Sequence, residues 1–377
     1  VYSNTRHSAT AVTTPEDPTS TAGANSGNKV YGNTISNVNM GITFIGSSAA
    51  AFQDSGNDIG GAASSTGNTI TNWGGAAALS NFVSNTGTSY CIFMNHQTAY
   101  NVSFNTLTSA AVSTTTIFRG IVQDYTGGAP TGTFTNTISN NTVTMTNAST
   151  SGTFTVINTV SGVNTMTLNI TNNLILNCAI SGASSSGTMG CIINTGSINT
   201  LNINNNIIRG NTTTATTGGF TGISNSGTVT TTVNINNNQI GNASGGAITF
   251  SAANSSTNTF INNSGGASTC ALSISSNNFQ GIVYSVASSG NNTYISNSAT
   301  TLSQNISSNT FTNLNVNITG SVTFISNNVA VSATGTQTVS SNSIVTAFNK
   351  GGSGGTVTLL TTNSTSASGA TINHDNN

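Results

Sequence analysis

Ile203-Asn-Asn-Asn206-Ile-Ile208 decides the fold, because the stretch keeps returning along the chain. Its neighbouring copies are Ile170-Thr-Asn-Asn173-Leu-Ile175 and Ile235-Asn-Asn-Asn238-Gln-Ile240. The shared pattern is a β-branched residue, two small or polar residues, Asn, one variable residue, then an apolar one. Working outward, the key Asn recurs as Asn4, Asn33, Asn68, Asn105, Asn141, Asn173, Asn206, Asn238, Asn277, Asn309 and Asn342, and Asp375 is expected in the twelfth place. The intervals run from 29 to 39 residues and average about 34, the signature of a repeat architecture. Three residues before the key position stand Val30, Val102, Ile138, Ile170, Ile203, Ile235, Ile274, Ile306, Val339 and Ile372, with Val1 opening the first copy and Ser65 as the exception. Two residues after it the chain is apolar from Ile35 to Ile344, and only Arg6 and Asn377, at the two ends, depart from this.

The composition around this repeat is unusual. The 377 residues include 68 Thr, 59 Asn, 54 Ser and 41 Gly, while charged residues make up 3%. An ordinary globular domain carries roughly 25% charged residues, so an ordinary soluble enzyme is a poor fit. Five Lys and Arg do not build a basic patch against a phosphate backbone, which argues against a nucleic-acid partner. Disordered chains combine low hydrophobicity with high net charge, whereas this chain has a net charge of −1 and 35% hydrophobic residues. No run approaches the roughly 18 apolar residues of a membrane span.

A second apolar stretch follows in most repeats, often opened by Gly or Cys before Ile, as at Gly41-Ile42, Cys91-Ile92, Gly120-Ile121, Cys191-Ile192, Gly222-Ile223 and Gly281-Ile282. Thr-rich runs such as 228–233 lead into the next copy and read as a third strand. Helical repeats of this length need Ala, Leu, Glu, Lys and Arg, not β-branched Thr and turn-forming Asn. Asn-Gly and Asp-Gly, the favoured two-residue hairpin turns, do not occur, which favours parallel stacking over a hairpin meander. The expected fold is therefore all-β: a right-handed parallel β-helix of about eleven coils of roughly 34 residues. At about 4.8 Å per coil the rod is on the order of 50 Å long. Residues 1–377 read as one continuous solenoid, an internal segment of a longer chain, with 1–28 its least regular coil.

Simple alternation would place the apolar residues at −3 and +2 on opposite faces, so a bend beside the Asn is expected. Asn tolerates the left-handed backbone of such a bend, and its amide can bond the Asn of the next coil. Asn33, Asn68, Asn105, Asn141, Asn173, Asn206, Asn238, Asn277, Asn309 and Asn342 are thus expected to form a structural ladder. The residue before the key position is usually Gly, Ser or Asn; Phe104 and His374 put the bend in doubt at their coils.

The Asn/Thr/Ser/Gly-rich coils, as in LNINNNIIRGNTT (201–213) and VNINNNQIGNAS (233–244), resemble the β-helix segments of very large secreted surface proteins of Bacteroidota-type bacteria. The resemblance covers nearly the whole chain and rests on coil architecture and composition. It implies export, display at the cell surface and an adhesive or fibrous role. The shared motif is structural and carries over no binding residue.

Candidates for chemistry are few. The acids are Glu16, Asp17, Asp54, Asp58, Asp124 and Asp375, leaving 125–374 without a carboxylate for acid–base work or a hard-cation cage. The remaining cluster is Asp54, Asp58, His96, Arg119 and Asp124; His7 and His374 lie near the ends. Cys91, Cys178, Cys191 and Cys270 lack zinc-site spacing, and only Cys178 and Cys191 share a coil. Tyr2, Tyr31, Trp73, Tyr90, Tyr100, Tyr125, Tyr284 and Tyr294 are read as aromatics outside the ladders, most of them more simply loop packing than surfaces for stacking on sugars. Thr runs at 114–116, 212–217 and 230–232 suggest a hydroxyl array on a flat β-face, but they are irregular from coil to coil and strand propensity explains them well enough. No cofactor is implied. The expected function is non-catalytic: an extracellular structural or adhesive segment whose partners are neighbouring coils of the same chain or fibre, and surface glycans. An ice-binding or carbohydrate-binding solenoid is the alternative, and a polysaccharide-active enzyme the weakest reading.

Overall fold

The computed structural model describes residues 2–4, 18, 20–74, 89–113, 117–346, 348–362 and 365–377. Most of the 1–28 coil, His7, Glu16, Asp17 and the 114–116 Thr run lie outside the described residues. Strands alternate with short turns from end to end, and the three helical turns, Thr21–Gly23, Ala50–Phe52 and Ser64–Thr66, are each a single short 3₁₀ turn. Each coil visits three parallel sheets in succession. The first sheet holds the strand before the key Asn, for instance Met166–Thr171, Ile198–Asn204 and Val229–Asn236. The second begins just after it, as at Thr142–Asn147 and Ile207–Arg209. The third holds the later apolar stretch, as at Phe154–Thr159, Met189–Asn194 and Phe220–Asn225.

The solenoid makes about nine turns, slightly fewer than the eleven expected. Among the described residues eleven strands stand in each of the first and third sheets, Tyr2–Asn4 opening the third and Thr371–Asp375 closing the first. Registers run unbroken through the columns beside the corner, with local shifts elsewhere, as between Ile198 and Thr200. Ile138, Ile170, Ile203, Ile235, Ile274, Ile306 and Val339 stack directly over one another in the first sheet. In the second sheet Val143, Ile175, Ile208, Ile240, Phe279 and Phe311 do the same, with the last two rings stacked at a 5.1 Å centroid distance. Both columns are buried. The alternation that buries Met166, Leu168 and Ile170 turns Thr167, Asn169 and Thr171 outward.

Third-sheet strands break strict alternation. In Phe220–Asn225 the first, third, fourth and sixth residues are buried, and Thr221 and Ser224 are not. Volume is conserved along this column by exchange between its first and third positions. Where the first is Phe118, Phe154 or Phe220, the third is Gly120, Val156 or Gly222; where the first is Asn258, Asn292 or Val322, the third is Phe260, Tyr294 or Phe324. A Cβ at Gly222 would stand 2.4 Å from the Phe260 carbonyl oxygen, so that position admits no side chain without a shift.

Four sequence readings change. Gly281-Ile282 is not a third-sheet stretch: Ile282–Tyr284 belongs to a second arm of the second sheet, set off by the left-handed Gly281 (φ 62°). Asn177, Gly210, Gly241 and Asn313 break the same sheet in neighbouring coils, all with positive φ. The 228–233 Thr run forms one strand with Ile235 and is not a separate third strand. Tyr2–Asn4 pairs with Ile42–Ile45 in the third sheet, so Asn4 is not a corner residue. At the other end Val339 pairs with His374 and Gln337 with Ile372, which moves the frame by two residues. Asn377, not Asp375, stands three residues beyond the Val339 level and occupies the corner.

Candidate functional site: two amide ladders and a buried polar cluster

The corner is made by the residue before the key Asn. Phe104, Asn140, Asn172, Asn205, Asn237, Ser276, Ser308, Ser341 and Asn376 all have φ between 52° and 59°. Gly32 shares this conformation. The key Asn itself is free of that strain, and Phe104 accepts the bend in spite of its side chain. Turning the chain here carries the next residue's amide into the wall between the first and second sheets.

The Asn side chain then closes the backbone hydrogen bonds that the corner leaves open. Asn173 Oδ1 accepts from the Asn141 backbone N–H (3.1 Å) and from Asn141 Nδ2 (3.0 Å), while Asn173 Nδ2 donates to the Ile138 carbonyl (2.9 Å) and to Asn206 Oδ1 (3.0 Å). Asn206 repeats this with Asn238, Asn238 with Asn277, Asn277 with Asn309, and Asn309 with Asn342. Upstream the chain of bonds runs Asn33, Asn68, Asn105, Asn141. Downstream, Asn342 donates to Asn377 Oδ1 at 2.8 Å, and Asn377 Nδ2 reaches the Val339 carbonyl. Asn68 to Asn342 are buried, so each amide satisfies polar groups that no water reaches.

A second ladder, missed by the sequence reading, lines the end of the third sheet. Nδ2 of Asn194, Asn225, Asn263 and Asn297 donates to Oδ1 of Asn225, Asn263, Asn297 and Asn327 respectively, at 2.7–2.8 Å. Its signal was present as Ile-x-Asn: Ile192, Ile223, Ile261, Ile295 and Ile325 each precede one of these residues by two. The ladder ends at Gln304, which accepts from both Asn327 and Gln337. At its start, Asn194 Oδ1 and the adjacent Thr159 Oγ1 are buried and unpartnered.

The structure brings several of these five residues together: the His96 backbone N–H donates to the Asp124 carbonyl (3.0 Å), the His96 charge bears on Asp54, and Arg119 and Asp124 both bear on Tyr90. Asp54 is buried; its carboxylate accepts from the Asn25 backbone N–H (2.8 Å) and from Gln97 Nε2 (2.9 Å). Burial pushes its pKa up, opposed by the Gln97 and Asn25 hydrogen bonds and the charge of His96. His96, buried with φ 53°, has Nδ1 3.2 Å from the Gly128 carbonyl, which also accepts from Gln53 Nε2 at 2.7 Å. Asp58 lies on the first sheet, where it accepts from the Tyr31 hydroxyl (2.5 Å) and Asn101 Nδ2 (2.7 Å). Asp124 accepts from Ser161 Oγ and Thr126, and Arg119 stands beside Tyr90 in the third sheet. Among the described residues no three His, Cys, Asp or Glu gather as metal ligands.

The aromatic candidates are also mostly closed to sugar stacking. Trp73, Tyr100, Tyr125, Tyr284 and Tyr294 are buried, with Tyr284 stacked on Phe250 at 4.2 Å and Tyr294 on Phe260 at 5.1 Å. Tyr31 and Tyr90 are half-buried. Large side chains fill a broad solenoid interior, and an aromatic ring buries more area there than any aliphatic one. The four cysteines are free and buried; burial pushes Cys178 up to about 12 and Cys270 up to about 11. His374 sits in the last first-sheet strand, with Nε2 2.9 Å from Gln337 Oε1.

A regular row of outward Thr stands on the third sheet, apart from the 212–217 and 230–232 runs, of which Thr213 is buried. Thr221, Thr259, Thr293, Thr323 and Thr358 stand in register over five successive coils. Beside them run Ser224, Asn262, Ser296, Ser326 and Thr361. No family model, curated protein or solved structure matches this chain.

Proposed function

We propose that this chain is a non-catalytic structural shaft, a segment of a large extracellular surface protein or filament that holds loops away from the cell and adheres through them. The Asn33-to-Asn377 ladder carries the reading, since it ties every coil to its neighbour along one edge of the rod. The few ionisable side chains support it too, because Asp54, Asp58 and Asp124 are all engaged in holding turns and strands. Bending stiffness is the property to test. Stretches of the purified chain imaged on a surface should stay straight over their length, and antibodies to it should label intact source cells. A flexible chain, or one found only inside the cell, contradicts the proposal.

One observation favours a second reading, an ice-binding or carbohydrate-binding face. The five-coil Thr row repeats at about 4.8 Å, the inter-strand spacing, along strands without a charged residue. Thermal hysteresis in the purified protein would support ice binding. Retention on an insoluble polysaccharide would support carbohydrate binding, and both assays should fail with Thr293→Lys.

A further inference from the structure

We propose that Arg209 and the 241–246 loop form a site on the flank of the rod for the carboxylate of an acidic, uronate-containing polysaccharide. The proposal deepens the adhesive half of the preceding reading and rests on it. Arg209 closes the strand Ile207–Arg209, whose alternation buries Ile208 and turns Ile207 and Arg209 outward. Its side chain is half-buried, yet its Nε–H is shut off from solvent and finds no acceptor among the described residues. No counter-ion is at hand either. Residues 125–374 contain no carboxylate, so two whole coils separate the guanidinium from Asp124, the nearest acid in the sequence. Withdrawing a cation from water without a partner is costly. This fold satisfies its other cation of the later coils fully: Lys350 Nζ donates to the carbonyls of Ile318, Gly352 and Gly354 at 2.6–2.9 Å.

The surroundings hold the guanidinium in place. On one side Leu176 pairs in register with Arg209, and Leu174 with Ile207, which lays a small aliphatic surface beside the charge. On the other side the chain turns out of the sheet at Gly241 (φ 80°), and the 241–246 loop folds against the arginine stem. A Cβ at Gly246 would stand 3.2 Å from both Arg209 Cδ and Asn242 Cβ, so the Asn242 side chain is a close neighbour of the arginine. The loop is braced: Gly210 N–H donates to the Gly246 carbonyl (2.7 Å), Gln239 Nε2 to the Gly241 carbonyl (2.9 Å) and Ala243 N–H to Gln280 Oε1 (3.3 Å). A planar guanidinium fixed in this way suits the two oxygens of a carboxylate. The aliphatic surface suits the C–H face of a sugar ring, and Asn242 and the exposed Ser244 suit its hydroxyls. A second copy of this chain offers no carboxylate anywhere in 125–374, so the anion comes from another molecule. Arg209 lies on the side of a middle coil, and coils stacked at either end leave it open.

The test follows the arginine Nε–H signals of the whole isotope-labelled chain by NMR. The arginines are Arg6, Arg119 and Arg209, and the signal lost in Arg209→Lys is that of Arg209. Oligogalacturonate should shift this signal saturably and leave the other two in place, and its neutral methyl ester should shift none. By calorimetry, Arg209→Gln should weaken oligogalacturonate binding about ten-fold or more, as loss of a charge-assisted pair does, while the exposed Lys29→Gln should leave it unchanged. The titration reads the unaltered chain, so it stands even where a variant folds poorly. No shift with oligogalacturonate, an equal shift with its methyl ester, or equal or tighter binding of a glutamate-rich peptide or a sulfated oligosaccharide overturns the proposal. A chain that images as a straight rod without the shift refutes the site and leaves the shaft standing; the shift in a flexible chain supports the site and refutes the shaft.

Discussion

At the residue scale, one side-chain amide does the work of a short piece of backbone. Asn206 accepts twice from Asn173 and donates to Ile170 and Asn238. Asn206→Ala should leave the Asn173 N–H and amide without a buried partner and destabilise the protein by about 3–5 kcal/mol, on the basis of roughly 1–3 kcal/mol per orphaned group. Denaturant unfolding measures this. Thr159→Asn should act in the opposite sense. Its new Nδ2 would point at the orphaned Asn194 Oδ1, extending the second ladder by one coil and stabilising by about 1 kcal/mol. The Asn register was legible because its spacing is fixed by the corner itself. Asp375 matched the pattern as well as Asn377 did, with Ile372 in support, yet a carboxylate has no N–H to offer the Val339 carbonyl, and the amide two residues on has one.

At the element scale, the three sheets differ in how openly they declare themselves. First-sheet strands alternate with period two and adjoin the key Asn, so their inward residues were readable. Third-sheet strands bury positions one, three, four and six, which hides both the aromatic column and the Ile-x-Asn ladder from a period-two reading. The loop between the second and third sheets varies in length and shifts these strands against the key Asn. The exchange of bulk between first and third positions is testable. Gly222→Phe, which adds a ring where Phe220 already fills the column, should destabilise by about 3 kcal/mol or more through overpacking and backbone contact with Phe260. Combining it with Phe220→Asn, the pairing seen at Asn258 and Phe260, should recover a substantial part of the loss. Thermal melting of the three variants decides whether the two positions are coupled.

At the scale of the whole molecule, the near absence of charge makes stability depend on a few buried groups. Asp54 is held above its ordinary pKa by burial, so the folded state binds a proton more readily than the unfolded chain. Its contribution is present below the unfolded value of about 4 and is lost as pH rises through the folded value. Acidification from pH 7 toward 4 should therefore raise the melting temperature slightly, and Asp54→Asn should flatten that slope. At the alkaline end the buried thiols and Tyr100, Tyr125, Tyr284 and Tyr294 are all pushed up by burial. The unfolded chain releases these protons first, so stability should fall above about pH 9, where free thiols begin to ionise. Circular dichroism melts across both ranges check the two signs.

Buried corner amides couple each coil to the next, and hydrogen exchange at those amides tests this coupling most directly. The backbone N–H groups of Asn105, Asn141, Asn173, Asn206, Asn238 and Asn277 each donate to the Asn of the next coil. They should exchange together, at rates set by opening of the solenoid, and Asn206→Ala should speed exchange most at Asn173 and progressively less with distance along the rod. Fast, independent exchange at these corners, with protection confined to the apolar strands, would contradict the ladder as the element that binds the shaft.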